Sequence, residues 1–291
     1  MANKCLSLVI HGGAGAMADR DYGTELDHMR GLIEAGRDRL KAGAAAMDVV
    51  VETLQALEAS GMYVAGRGAS PNTAGHYELD ASLMHGPTRR AGAVAALQGF
   101  ASPIRAARAV MEKTPHVLLA GEGAAAFCAA EGLERAGPEW FRPARAAETR
   151  SARSAAGTTG TVGCLALDET GALVAGTSTG GTHGKLYGRV GDSPIVGAGV
   201  WADDLVAVSS TGIGEAFVRS VAAAQLAWRM RLAGQSLGEA ADAALADVKA
   251  LGGWGGLIAL TAKGEIAMPY NSQGMKRAAL HPDGRVTSEV F

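Results

Sequence analysis

Thr161 stands where a loop meets a strand. The stretch Gly157-Thr158-Thr159-Gly160-Thr161-Val162-Gly163-Cys164-Leu165-Ala166-Leu167-Asp168 has loop character on its left. On its right is an apolar run, Val162 to Leu167, closed by the turn sequence Asp168-Glu169-Thr170-Gly171. A threonine hydroxyl at the edge of a rigid strand is well placed to act as a nucleophile. Cutting the chain before it would supply a base, because a new α-amine has an unperturbed pKa of roughly 7.7–8.0 and would sit beside the hydroxyl.

Three polar clusters follow the seam. Thr177-Ser178-Thr179-Gly180-Gly181 ends a strand. Gly188-Arg189-Val190-Gly191-Asp192-Ser193-Pro194 puts a cation and an anion three residues apart in a glycine-rich loop. Ser209-Ser210-Thr211-Gly212-Ile213-Gly214-Glu215 follows a strand and opens a helix. Together they offer hydroxyls, backbone donors at a helix opening, a guanidinium that can grip a carboxylate and a carboxylate that can take an ammonium. That set suits a small zwitterion. Each cluster also has an ordinary reading: turn or cap hydroxyls at strand ends, a local Arg189–Asp192 surface pair, and Thr211 as a helix N-cap. The histidines give no Ser-His-Asp arrangement, GxSxG is absent, and no HExxH or Cys/His cluster appears.

The elements that must carry these groups are legible in outline. Leu6 to Ile10 reads as a buried strand leading into His11-Gly12-Gly13-Ala14-Gly15-Ala16. A nucleotide site there lacks support: no Lys-Ser/Thr follows, and Ala18 stands where GxGxxG needs its third glycine. Helices are expected over Thr24 to Lys41 and Ala44 to Ala59, the second stopped by Gly61. Met62 to Asn72 is a glycine-rich connection that reads as a plain turn, although such a loop can also turn carbonyls onto an alkali cation. Tyr77 to Met84 and Gly92 to Gln98 form a hairpin. Ser102-Pro103 opens a helix to Met111, with Ser102 as cap. A short apolar run, His116 to Ala120, precedes a helix from Gly121 to Glu134. Residues 137–160 carry prolines, arginines and small residues without an apolar period, and read as an exposed linker. Beyond it come strands at Leu173 to Thr177, Ala198 to Trp201 and Leu205 to Ser209. One long helix follows from Glu215 to Leu232, another from Ser236 to Leu251, then a strand at Leu257 to Thr261 with a hairpin partner from Gly264 to Pro269. Clustered strands and clustered helices predict an α+β fold of layered sheets covered by helices.

Composition narrows the function. Of 291 residues, 48 % are apolar, enough for a sizeable core, and a net charge of −2 offers nothing to nucleic acid or an anionic membrane surface. Three cysteines without a CxxC pair fit a reducing compartment rather than a disulfide framework. No stretch reaches the roughly 20 apolar residues of a spanning helix, and the run Cys5 to Ile10 is too short for a signal-peptide core, so a cytoplasmic protein is expected.

The chain resembles the plant-type asparaginase/isoaspartyl peptidase family of N-terminal-nucleophile hydrolases. The resemblance rests on His11-Gly12-Gly13-Ala14-Gly15, Glu78-Leu79-Asp80-Ala81-Ser82, Ala91-Gly92-Ala93-Val94 and Ser102-Pro103 with Val110-Met111. It continues through Pro115-His116-Val117, Gly160-Thr161-Val162-Gly163, Thr177 to Gly181, Gly188 to Pro194, Gly255-Gly256 and Asn271 with Gly274-Met275. It implies an αββα sandwich in a single domain, 1–291. It also implies self-cleavage between Gly160 and Thr161 into an α chain, 1–160, and a β chain, 161–291, and assembly as a dimer of αβ units. It implies Thr161 as nucleophile, Thr179 as its hydrogen-bonding partner, and Thr211 and Gly212 as the oxyanion hole. Arg189 would hold the substrate α-carboxylate, with Asp192 and the Gly214 carbonyl on its α-ammonium. It further implies a structural sodium held by main-chain carbonyls of Leu57, Glu58, Ser60, Tyr63, Ala65 and Arg67, and no cofactor for catalysis. The implied reaction is hydrolysis of β-aspartyl dipeptides and of the L-asparagine side-chain amide, releasing L-aspartate. A glycosylasparaginase-like specificity and a non-catalytic amino-acid binder are the alternatives. Val64, His85, Thr159 and Trp254 depart from the family pattern, which bears on substrate preference and cleavage rate.

Overall fold

The computed structural model describes residues 5–141 and 160–291. Thr159 and most of the expected linker lie outside them. Twelve described strands form two sheets. In chain order the first elements are β1 (Ser7–Ala14), α1 (Gly23–Lys41), α2 (Ala46–Ser60), β2 (Leu79–His85), β3 (Arg90–Leu97), α3 (Pro103–Lys113), β4 (Leu118–Ala120) and α4 (Gly121–Ala130). After the seam come β5 (Val162–Leu167), β6 (Leu173–Thr179), β7 (Val200–Ala202) and β8 (Val206–Gly212). The chain ends with α5 (Gly214–Ser220), α6 (Ala222–Ala233), α7 (Leu237–Ala250), β9 (Gly255–Thr261), β10 (Ile266–Ala267), β11 (Met275–Leu280) and β12 (Val286–Glu289). The larger sheet runs β12-β11-β1-β5-β6-β2-β3-β4 and the smaller β10-β9-β8-β7. All pairings between these strands are antiparallel except β3 with β4.

Strands covered on both faces read as continuous apolar runs, and β1, β5 and β6 are buried at every position. One face of the larger sheet carries α1, α2 and α3; Ile33, Val50, Leu54, Ile104 and Val110 fill that layer. The other face lies on the smaller sheet through a layer of small and branched side chains that includes Val9, Leu165, Ala175, Ala207 and Ile258. The outer face of the smaller sheet is covered by α6 and α7, whose alanines allow close approach. The α+β class expected from the sequence is the observed one.

Several local expectations need correction. The helix expected from Glu215 to Leu232 is broken at Val221, which adopts φ 51°. A β-branched residue there is strained, at a cost of roughly 1–3 kcal/mol. The break turns the first amides of α6 toward loop carbonyls: Ala223 N–H donates to Ala198 O at 3.3 Å and Ala224 N–H to Gly197 O at 2.8 Å. The helix from Gly121 stops at Ala130 rather than Glu134. Two strands, β11 and β12, go unseen in the sequence because charged residues interrupt β11. Lys276 and Arg277 are nonetheless buried, Lys276 over the Tyr22 ring and Arg277 bonded to Glu289 across the pair.

Ser102 sits at the N-cap of α3 but does not cap it with its side chain. Its hydroxyl donates to Glu58, whose other oxygen accepts Ile104 N–H at 3.0 Å and Ser178 Oγ at 2.6 Å. Glu58 therefore ties α2, α3 and β6 together, next to Thr179. Burial outweighs these donors and pushes its pKa from 4.5 up to about 7. Between those values the folded chain keeps a proton that the unfolded chain has lost, so this group removes stability as pH rises through that window. Glu58→Gln abolishes that dependence. Between pH 5 and pH 8 wild type should lose about 2–3 kcal/mol more than Glu58→Gln in urea unfolding. Glu58→Ala, which leaves the Ile104 amide and two hydroxyls without their acceptor, should cost about 3 kcal/mol or more at pH 5.

Candidate active site

Antiparallel register brings Thr161 and Thr179 together. β5 lies between β1 and β6, with Val162 opposite Ser178 and Gly163 opposite both Thr177 and His11. One position back, Thr161 faces Thr179. The Thr161 hydroxyl donates to Thr179 Oγ1 at 3.1 Å. Thr179 in turn donates to Val64 O at 3.3 Å and accepts from Gly181 N–H at 3.1 Å, so its oxygen is fully used and its rotamer is held. Both side chains are buried.

The bond before Thr161 is gripped as well. Gly160 O accepts from Val64 N–H at 3.0 Å, while Val64 O accepts from Gly180 N–H at 2.7 Å. The Val64 backbone thus bridges the seam and the end of β6. Gly13, at φ 97°, presses its bare Cα onto the same peptide: a Cβ there would come within 2.6 Å of Gly160 Cα. The glycine run after β1 is a close approach of the chain to its own seam.

Gly160, Thr161, Thr179, Arg189, Asp192 and Gly212 line one narrow cleft. Arg189 is not paired with Asp192. Its Nε and Nη2 donate to the two oxygens of Glu215 at 2.9 and 3.0 Å. That fork uses one edge of the guanidinium and leaves the Nη1 and remaining Nη2 hydrogens for another carboxylate. The surface-pair reading of Arg189 and Asp192 is therefore set aside, and Glu215, which sequence reasoning passed over, is the residue that orients Arg189. Its offset of 26 positions gave no local signal.

Asp192 is buried, and Oδ2 has no hydrogen-bond partner among the described residues. Burial pushes its pKa up to about 7, against the pull of Arg189 and with some push from Glu215 and Asp80. A buried carboxylate oxygen without a donor is costly unless a cation arrives. Gly214 flanks both groups: a Cβ there would lie 2.9 Å from Asp192 Oδ1 and 3.0 Å from Arg189 Nη2.

Thr211 is not a helix cap. It lies in β8, and α5 is preceded by Ile213 at its N-cap. Thr211 Oγ1 accepts from Ala14 N–H at 3.3 Å, which joins the end of β8 to the exit of β1. Gly212 reaches the cleft itself, while Thr211 and Gly214 stand immediately behind it.

Behind the seam runs a buried polar chain that sequence reasoning did not find. Thr177 Oγ1 donates to Gly199 O at 3.0 Å and so must accept from Ser209 Oγ at 2.7 Å; Ser209 then accepts from His11 Nε2 at 3.0 Å. His11 is held neutral, its pKa pushed down to about 3 by burial. Only Gly163 leaves room for it, since a Cβ there would meet Ser209 Oγ and His11 Nε2 at 2.1 and 2.2 Å.

The Leu57–Arg67 loop has features that suit a cation. Helix α2 ends at Gly61 in the left-handed region, leaving its last carbonyls without helical partners. A Cβ at Gly68 would be 1.9 Å from Tyr63 O and 3.0 Å from Gly61 O, and one at Gly66 2.8 Å from Glu58 O, so carbonyls crowd a cradle only glycine leaves open. Leu57 O is already taken by Ser60 Oγ and Ala65 O by Gly68 N–H. Among the described residues no group of three or more His, Cys, Asp or Glu side chains is arranged to bind a metal, and no helix is long and apolar enough to cross a membrane.

A threonine hydroxyl at a gripped peptide, in one cleft with an arginine fork and a carboxylate that has one oxygen without a partner among the described residues, suits attack on a small amino-acid derivative. The asparaginase family profile matches residues 4–288, and the chain belongs to that family. It is 45 % identical to the isoaspartyl peptidase of Salmonella typhimurium, over 99 % of each chain. It is 43 % identical to the isoaspartyl peptidase of Escherichia coli, covering 98 % of this chain and 95 % of that one. With the isoaspartyl peptidase/L-asparaginase of Homo sapiens the identity is 39 %, covering 96 % and 94 %.

Proposed function

We propose that this chain is a self-processing threonine amidohydrolase that cleaves β-aspartyl dipeptides and the side-chain amide of L-asparagine, releasing L-aspartate. The observation that carries this reading is the Thr161–Thr179 hydrogen bond at a peptide held by Val64, in one cleft with Arg189 and Asp192. The two facing sheets between helical layers fit an αββα sandwich of the N-terminal-nucleophile type. The α chain would be 1–160 and the β chain 161–291, two αβ units would pair, and the enzyme would work in the cytoplasm.

Maturation begins with Thr161 Oγ attacking the Gly160 carbonyl carbon. The Val64 amide that holds Gly160 O is placed to receive the charge growing on that oxygen. The Gly160–Thr161 C–N bond breaks, its nitrogen takes a proton, and an ester forms. Water hydrolyses the ester, leaving a Gly160 carboxylate and a Thr161 α-amine.

The mature amine then takes the Thr161 hydroxyl proton as the oxygen attacks the side-chain carbonyl of the substrate. Arg189, steadied by Glu215, holds the α-carboxylate, while Asp192 and Gly214 O take the α-ammonium. Donors from Thr211 and Gly212 would stabilise the oxyanion, at roughly 2.7–4 kcal/mol for one such group. The departing amine is protonated, and water releases aspartate from the acyl-enzyme. A sodium ion held by main-chain carbonyls of the Leu57–Arg67 loop, those of Glu58 and Tyr63 foremost, would act structurally. It would brace the loop that presents Val64.

Purified protein assayed on β-Asp-Leu, L-asparagine and a glycosylated asparagine tests the reading. Turnover of the first two is expected. Binding of aspartate without product release would instead indicate an amino-acid binder. The pH profile carries a second check. Ammonium binding needs ionised Asp192, present above about pH 7. The amine base must be neutral, which requires pH near or above roughly 7.7–8.0. Both demands act in the same direction, so kcat/KM should climb from pH 5.5 to 8 with a limiting acid slope greater than one. A flat profile contradicts these roles.

A further inference from the structure

The exit of β1 runs past the seam and ends against an indole. Gly13 lies on Gly160, and Ala14 N–H bonds Thr211. At Gly15, a Cβ would stand 3.1 Å from both Cη2 and Cζ3 of Trp254, so the far edge of the ring rests on bare glycine backbone. Along three consecutive residues the β1 exit therefore touches the cut site, the end of β8 and Trp254 in turn.

The indole is firmly mounted. Trp254 O accepts from Ile213 N–H at 2.9 Å. The next residue, Gly255, donates to Asn271 Oδ1 at 2.7 Å and accepts from Asn271 N–H at 2.9 Å, and it pairs with Gly212 across β8 and β9. Trp254 as a residue is half-buried, so part of it rests on protein and part remains open to contact.

On the other flank of Gly160 is Val64, whose Cγ2 would be 2.5 Å from a Cβ built on Gly160. Release of Gly160 on cutting opens the volume it fills beside Thr161. A valine side chain and glycine backbone bound that volume, and the indole lies two residues further along the same edge. The charged groups Arg189 and Asp192 serve the aspartyl end of a substrate. These apolar faces are left for whatever departs.

We propose that Trp254 is a specificity-determining wall on the leaving-group side, selecting β-aspartyl dipeptides whose second residue carries a large apolar side chain. The inference rests on the amidohydrolase reading above. With L-asparagine the departing group is ammonia, too small to reach the ring. A leucine side chain laid against the ring gains what a glycine cannot, and apolar contacts of this kind discriminate by about tenfold or more.

The test is steady-state kcat/KM of wild type, Trp254→Ala and Trp254→Phe on β-Asp-Leu, β-Asp-Gly and L-asparagine. Wild type should favour β-Asp-Leu over β-Asp-Gly by about tenfold or more. Trp254→Ala should bring that ratio to within about twofold, and Trp254→Phe should keep most of it. A general loss of folding or cutting would lower all three substrates together and leave the ratio alone. If Trp254→Ala does not cut itself, Trp254→Leu takes its place, with the ratio falling in the order Trp, Phe, Leu. A ratio near one in wild type, or one that substitution does not move, overturns the inference. Wild type inactive on all three substrates overturns the amidohydrolase reading instead.

Discussion

Thr161→Ala should remain a single chain of 29.5 kDa on a denaturing gel and in mass spectrometry, and should hydrolyse neither β-Asp-Leu nor L-asparagine. The substitution removes one oxygen that serves twice. In the uncut chain it is the only atom of residue 161 able to attack Gly160, and in the proposed mechanism it is the nucleophile toward substrate after cutting. Loss of a covalent nucleophile elsewhere costs about 10⁶ in kcat, and here the base is lost with it because no α-amine is released. The fold should survive, since among the described residues the hydroxyl's side-chain bond is to Thr179, and alanine fits the same space. Thr161→Ser keeps the oxygen and should still cut, more slowly. Cutting by Thr161→Ala on prolonged incubation would remove Thr161 from the mechanism.

Arg189→Ala should cut itself normally but lose about 10²–10³-fold in kcat/KM on both substrates. Truncating one partner of a buried, hydrogen-bonded charge pair costs roughly 2–5 kcal/mol, and each 1.4 kcal/mol is tenfold. The loss belongs to substrate binding, because the guanidinium lines the cleft and its fork is with the exposed Glu215, not with the Thr161–Thr179 pair. Arg189→Lys should recover little, since an ammonium cannot engage Glu215 and a carboxylate through two parallel edges. Glu215→Gln, which keeps one of the two acceptor oxygens of the fork and so weakens the hold on Arg189, should fall between wild type and Arg189→Ala. Activity of Arg189→Ala close to wild type would show that the carboxylate is read elsewhere.

The residues proposed to carry this chemistry were legible because their types and local spacing survive in one dimension. A threonine between a glycine and an apolar run announces itself, as do hydroxyls at strand ends and a glycine-rich loop with Arg189 and Asp192. Their partners were not legible, because partnership is set by distance in space. Glu215 lies 26 positions from Arg189, and Val64 lies 96 positions before Gly160. Ser209 is 198 positions from His11. The break at Val221 was invisible because no glycine or proline marks it, only the pull of two loop carbonyls on the amides that follow. Strand β11 was hidden by Lys276 and Arg277, whose charged ends lie over the rings of Tyr22 and Tyr270, Arg277 also reaching Glu289.

By itself the sequence determined the class of fold, a threonine at the loop-to-strand seam after Gly160 and the inventory of groups a small zwitterion needs, since apolar period and residue chemistry are local properties. Only the tertiary structure decided that Thr179 faces Thr161 and that Val64 rather than a side-chain amide holds the Gly160 carbonyl. It also turned Arg189 toward Glu215, leaving one oxygen of Asp192 without a partner among the described residues. These follow from strand register, where a shift of one residue would send Thr161 and Thr179 to opposite faces. They follow as well from close packing between two sheets, which brings distant segments within hydrogen-bond reach and removes the water that would otherwise satisfy them.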